Sequence, residues 1–356
     1  VGSGWATLGK DSARTSQGDS VGPTAPEILW QFEWEDPGTA PNDYLLILPD
    51  GTVILNADYF GFVALHGQSG KEKWRSEPLD GRIQGVPTLT AANEVVFATS
   101  DEVRVLSPDG KLARKWRAAS LDEVEAVAVA PNGDYLVSAE VGELARYSSA
   151  GTERWRVPIP GGTKSTPTVA EDGTAYITNT EKHVFAVTAS GDISWKAEVD
   201  DAYDATITIH SSGNLLVPTH SQSLHVFTPS GELAWTVEDC CRGAQVATAR
   251  DGRIYEVRPG TFEEPSRLNA RDASGALLWT WTEDAPQTVP VVDSEGNVYA
   301  ANQGATFSLA PDGTKRWHVD VGASALALSP DGSLVLIGFR SAVKLGDKAG
   351  VEPASE

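Results

Sequence analysis

Methionine is absent from the 356 residues, and cysteine occurs only twice, at the adjacent positions Cys240 and Cys241. An intrachain disulfide could therefore join only neighbours, and a chain of this length buries a large core without such staples. No apolar run approaches the roughly 18 residues of a membrane helix, so no membrane span is expected. Lys and Arg number 28 against 49 Asp and Glu, a formal net charge of -21. So few cations argue against nucleic acid as a partner, because phosphate binding needs clustered Lys and Arg. Catalytic signatures are also missing. The six histidines form no HExxH pattern, His220 and His225 are too loosely spaced for a metal pair, and no nucleophile elbow is present. The run Gly161 to Ser165 lacks phosphate-loop spacing. With no initiator Met and no export leader in view, the start at Val1 reads as that of a processed or trimmed product.

What is abundant is repetition. Residues 163–199 hold four short runs rich in β-branched, aromatic and small apolar residues, at 167–169, 175–178, 184–187 and 193–197. Asp172-Gly173, the polar segment 179–182 and Ser190-Gly191 separate them, which predicts a four-stranded antiparallel meander. The unit recurs about every 40 residues, the signature of a repeat architecture. Gly is followed shortly by Trp at Gly70/Trp74, Gly110/Trp116, Gly151/Trp155, Gly191/Trp195, Gly231/Trp235, Gly275/Trp279 and Gly313/Trp317, with Trp30 one period earlier.

Seven complete units follow residue 44. The C-terminal strands at 325–328, 334–337 and 342–345 have no Gly-Trp strand after them, while the strand at 28–32 has no three before it. The expected fold is all-β: an eight-bladed propeller of four-stranded antiparallel blades, closed by the N-terminal strand joining the three C-terminal ones, which leaves few open sheet edges. Residues 1–26 read as an extended lead-in packed against one face, 27–345 as a single propeller, and 346–356 as a disordered tail. First strands should line the channel, and each outer-strand Trp should wedge between neighbouring blades rather than form a substrate platform.

The third strand, glycine turn and Trp-bearing fourth strand, as in Val184 to Val187 through Gly191 to Trp195, resemble the pyrroloquinoline-quinone-like propeller repeat. Trp5, Asp11, Arg14 and Thr15 look like the lead-in of its secreted members. The resemblance spans residues 5–345 and implies an extracytoplasmic home. That family includes quinone-dependent dehydrogenases and non-enzymatic scaffolds such as the outer-membrane assembly lipoprotein.

Propeller connectivity sends the fourth-to-first and second-to-third loops to one face. Acidic side chains crowd those loops, among them Asp200, Asp201, Asp204, Glu238 and Asp239, opposed by Arg82, Lys164 and Arg242. The expected function is a protein-binding scaffold whose acidic face receives a partner or larger assembly with a basic surface. The candidate binding residues are Asp200, Asp201, Asp204, Asp239, Cys240, Cys241 and Arg242. No catalytic or metal residue is assigned; Asp200, Asp201 and Asp204 read as a hydrated acidic turn, with too few ligands for an EF-hand. The alternatives are a structural subunit of a surface or secretion assembly and a quinone-dependent dehydrogenase. Carried over from those enzymes, Cys240 and Cys241 would close a strained ring as a flat lid at the channel mouth; with loops this short and a mouth this acidic, they read instead as a rigid turn or two reduced thiols. Pyrroloquinoline quinone and calcium are the cofactors that this carry-over implies; otherwise none is expected.

Overall fold

The computed structural model describes residues 4–7, 9–34, 44–56, 61–118, 123–241, 245–338 and 340–348. They form eight four-stranded antiparallel sheets. Seven are built from consecutive strands, at 45–75, 84–117, 124–158, 168–198, 208–238, 247–281 and 291–319, here blades 1 to 7. Blade 8 takes Ala325–Leu328, Leu334–Ile337 and Ser341–Gly346 from the C-terminal end and Glu27–Glu33 from the other. The closing register sets Trp30 opposite Lys344 and Phe32 opposite Ala342.

Burial explains the two kinds of strand. Second and third strands such as Ala175–Thr178 and Phe62–Leu65 are covered on both faces by adjacent blades, so they are continuously buried and mostly apolar. Fourth strands such as Leu112–Arg117 and Ile193–Glu198 face water on one side and alternate. Their inward Trp lies on the third-to-fourth turn of the next blade. At Gly231, φ is +87° and a Cβ would sit 2.5 Å from Trp195 Cδ2, so the residue must be glycine on both conformational and steric grounds. The indole N–H groups of Trp30, Trp155, Trp195 and Trp279 donate to carbonyls of that same neighbouring turn at 2.9–3.0 Å. Trp74 and Trp116 pack without this bond.

Blade 8 has no third-to-fourth turn, because its outer strand comes from the other end of the chain. Trp317 therefore donates to Pro23 O (2.7 Å), and Asp347 accepts from Thr24 N (2.9 Å), Thr24 Oγ1 (2.9 Å) and Ala25 N (2.7 Å). A side chain replaces the missing covalent turn. The last strand thus runs through Gly346, and Asp347 and Lys348 are held in the closure; residues 349–356 of the expected tail lie outside the described residues. Replacing Asp347 with Ala is expected to cost about 1 kcal/mol, because the carboxylate is solvent-exposed, and to lower the melting temperature by roughly 2 °C in a thermal scan.

The lead-in crosses the end of the channel where the first strands finish. Trp5 exchanges two backbone hydrogen bonds with Ile47, and Leu89, Val169, Ile209, Thr248 and Val292 donate to Ala6, Ser12, Ala13, Thr15 and Ser16. This strap ties six blades together across the axis. To keep presenting carbonyls around a curve it adopts φ of 75° at Lys10, 59° at Arg14 and 54° at Ser16. Arg14 is 2% exposed, and burial pushes its guanidinium down to about 10, with Asp11 and then Tyr44 acting to raise it. Tyr44 precedes the first strand of blade 1, at the opposite end of the channel from the strap.

Candidate functional site

Because the strap covers one end, the other face, made of fourth-to-first and second-to-third loops, is the accessible one. Glu77, Glu123, Glu181, Glu198, Glu238 and Glu263 are exposed there and make no ion pair among the described residues. Arg82, Lys164, Lys182 and Arg340 are exposed cations of the same loops, and Lys164 is paired with Glu140. Arg242, expected among the opposing cations, lies outside the described residues, as do the loop carboxylates Glu35, Asp36, Asp43, Asp58 and Asp122.

The three aspartates at 200–204 are engaged separately. Asp200 Oδ2 accepts from Ser223 Oγ and pairs with His225 Nε2, each at 2.9 Å; the His225 contact, ahead of Ser223, outweighs burial and holds the carboxyl below its ordinary range. Asp204 pairs with His220 Nε2, whose ring stacks 5.1 Å from Tyr203. Asp201 contributes its carbonyl to His220 N (2.6 Å) and keeps a half-buried side chain. Among the described residues no group of three or more His, Cys, Asp or Glu could hold a metal ion. These two histidines, unassigned in the sequence, are the local counter-groups of the acidic turn.

Asp239 is clamped rather than free. Arg258 Nε (2.6 Å) and Arg267 Nη2 (2.7 Å) of blade 6 bind its two oxygens, and Arg258 leads the effects that lower its pKa. Both arginines sit in strands, where alternation hides a charged residue's true partner. Cys240 and Cys241 follow directly, and they do not form the lid that the dehydrogenase resemblance would carry over. They are 0% and 1% exposed, packed with Leu216, Leu224, Val226, Val246 and Ile254 between blades 5 and 6, and neither lines the channel mouth. The reason is the hydrophobic drive on two small thiols flanked by apolar strands. They are free thiols with sulfurs 3.0 Å apart, and the hydrogen bond between them, together with burial, pushes Cys241 well up, so it stays protonated and unreactive.

The channel mouth on this face is a cavity of about 620 Å³ lined by Tyr44, Arg82, Glu125, Lys164, Tyr203 and Asp204, with residues 83–86 and two threonines completing the wall. Burial, followed by the nearby Glu140, pushes the Glu125 carboxyl up, and Lys164 is committed to Glu140 at 3.2 Å. A quinone bearing three carboxylates does not fit this lining: Glu125 and Asp204 oppose it, Lys164 is held by Glu140, and the two cysteines that would cover it are free thiols buried between blades 5 and 6. Like charges 4 Å apart repel by about 4 kcal/mol at an effective dielectric of 20.

Comparison with known proteins agrees with the architecture. A family model described as outer membrane protein assembly factor BamB matches residues 20–128, 101–238 and 220–354. Among solved structures, BamB from Moraxella catarrhalis superposes with a TM-score of 0.69 at 14% identity, over 91% of this chain and 100% of that one. A europium-containing methanol dehydrogenase gives 0.71 at 12% identity, over 94% and 89%. The quinohemoprotein alcohol dehydrogenase from Comamonas testosteroni gives 0.74 at 11%, over 99% and 82%. No curated protein matches the sequence. At these identities the structural likenesses establish the propeller alone.

Proposed function

This chain belongs to the family of the outer membrane protein assembly factor BamB, and from that premise we propose that it is a non-enzymatic, extracytoplasmic scaffold that binds a protein partner with a basic surface through its acidic loop face. The observation that carries this reading is the contrast between the two ends of the ring: one is spanned by the strap, the other presents exposed carboxylates that make no ion pair among the described residues. Most other carboxylates of the loops are paired, as Asp80 and Glu102 are with Arg104 and Asp284 is with Lys315 and His318. The unpaired set therefore dominates the field toward solvent. Fields of this kind accelerate encounter with a cationic surface and act within a Debye length of about 8 Å at physiological salt.

Exposed carboxylates are the right ones to reverse, since Asp200, Asp204 and Asp239 have structural partners. The triple variant Glu181→Lys, Glu198→Lys, Glu238→Lys is expected to reduce capture of the native partner from envelope extracts about tenfold at 0.15 M salt. It should also flatten the decline of capture between 0.05 and 0.5 M salt, with the melting temperature unchanged, as for rim charges that set encounter rather than fold. Capture with wild-type strength and wild-type salt dependence would remove the acidic face from consideration.

A further inference from the structure

One second-to-third loop differs from the rest. Between the strands Ile254–Arg258 and Arg267–Arg271 it takes eight residues, 259–266, where the corresponding loops of the other blades take three to five. The extra length is organised. Thr261 N donates to Glu264 O (2.8 Å), and Thr261 Oγ1 accepts from Glu263 N (3.3 Å) and Glu264 N (3.1 Å). A Cβ on Gly260 would meet Ser266 N at 2.7 Å, so the two legs of the loop touch. At the base, Arg258 binds Glu264 (3.1 Å) as well as Asp239, and Arg267 binds Asp239, which pins the loop to blade 5.

The tip of this braced loop is Phe262, a residue 111% exposed, more than in a reference extended peptide. Single exposed aliphatics are ordinary, and Leu112, Leu233 and Leu277 are about half exposed on outer strands. Phe262 is different in kind: an ordered turn holds a large aromatic away from every apolar surface of its own chain. Aromatic side chains projected in this way supply the dominant anchors of protein interfaces, because they bury large area with few rotatable bonds. Its surroundings fix the sign of the partner. Glu263 and Glu238 are exposed nearby, while Arg258 and Arg267 are consumed in the clamp.

We propose that Phe262 is the anchor of the acidic face, inserting into an apolar pocket bordered by Lys or Arg on a partner protein. The proposal rests on the protein-binding reading above and deepens it by naming the contact. A second copy of the chain would bring like-charged loops together. A bilayer rich in anionic lipid would repel Glu263 and Glu238.

The test compares variants of the full chain in cells that naturally express it. Phe262→Ala is expected to lower partner capture at least tenfold with an unchanged melting temperature, and Phe262→Trp to keep capture within threefold of wild type. With p-benzoylphenylalanine in place of Phe262, irradiation should give a protein adduct whose peptide carries apolar residues flanked by Lys or Arg. The same amino acid at Leu112, on the outer rim, should give none. Wild-type capture by Phe262→Ala, or an adduct peptide that is acidic, overturns the anchor. So does sedimentation of the protein, dependent on Phe262, with vesicles of phosphatidylethanolamine and phosphatidylglycerol. If Phe262→Ala is silent while the triple Glu→Lys variant weakens capture, the anchor fails and the acidic face stands; if both are silent, both fail.

Discussion

Trp195→Ala should lower the unfolding free energy by about 3 to 5 kcal/mol, the range for removing a large aromatic from a packed site. The residue belongs to blade 4, yet much of its contact is with blade 5. Its ring stacks 6.4 Å from Phe227 and lies against Gly231, and its N–H donates to Pro229 O at 2.9 Å, while Tyr176 of its own blade sits 5.9 Å away. Filling the space is impossible for the neighbours, because the facing turn is backbone held at a fixed φ. Leu233→Ala, 55% exposed one blade further along the same rim, is the matched control and should change stability by under about 0.5 kcal/mol. Chemical denaturation gives both numbers, and amide exchange should localise the Trp195 loss to blades 4 and 5, since each repeat touches only its neighbours. A Trp195→Ala loss no larger than that of Leu233→Ala would show that the indoles are ornaments of the rim and that strand pairing alone sets blade spacing.

Asp134→Ala is expected to cost a similar 3 to 5 kcal/mol for a different reason. Its side chain and that of Arg146 are 5% and 4% exposed, joined by Nε to Oδ2 at 2.9 Å. Arg146 also donates to Asn132 Oδ1 (3.0 Å) and reaches the carbonyls of Ala189 (3.3 Å) and Gly173 (3.4 Å) in blade 4. Deleting the carboxylate strands a guanidinium inside the ring, the case in which a broken buried pair is most damaging. The double variant Asp134→Ala, Arg146→Met should recover a large part of the loss, which separates unpaired charge from lost volume. The pair also sets a pH dependence. Burial alone would raise the Asp134 carboxyl, but hydrogen bonds from Asn132, Arg146 and Arg154 outweigh it and hold the folded-state pKa below the ordinary value. A depressed carboxylate contributes stability that is complete above its unfolded pKa, near about 4, and is lost as pH falls through the folded one. Melting temperature should therefore drop below about pH 4 in the wild type, and less steeply in Asp134→Asn, which has no proton to take up there.

The ring itself was legible because its information is local. The apolar run at 175–178, the glycine at 191 and the tryptophan at 195 each dictate a conformation within a few residues, and a fixed period repeats the instruction around the circle. The surplus strand at 28–32 and the missing one after 345 solved the closure by simple complementarity. Side-chain partnerships were not legible in the same way. Asp239 meets Arg258 and Arg267 only because blade 6 folds back beside blade 5, and His220 and His225 meet Asp204 and Asp200 across separate loops. The cysteines were placed by chain position at a loop, but their immediate apolar neighbours draw them inward. The strap was visible only as an extended segment; its hydrogen bonds are made to strands up to 276 residues away, as between Ser16 and Val292, and no periodicity encodes them. Phe262 carried a signal that could have been used, a Phe amid Glu and Pro in an overlong loop.

The described polypeptide enters beside Ile47 and Pro49 and leaves at Lys348 next to Glu27, so both of its ends emerge on the strap side of the ring. A tether attached beside Gly4 or Lys348 consequently starts on the face opposite the acidic loops. A form immobilised at those two positions would hold the ring like a dish with its rim turned outward, leaving the whole upper surface to a visitor arriving from solution.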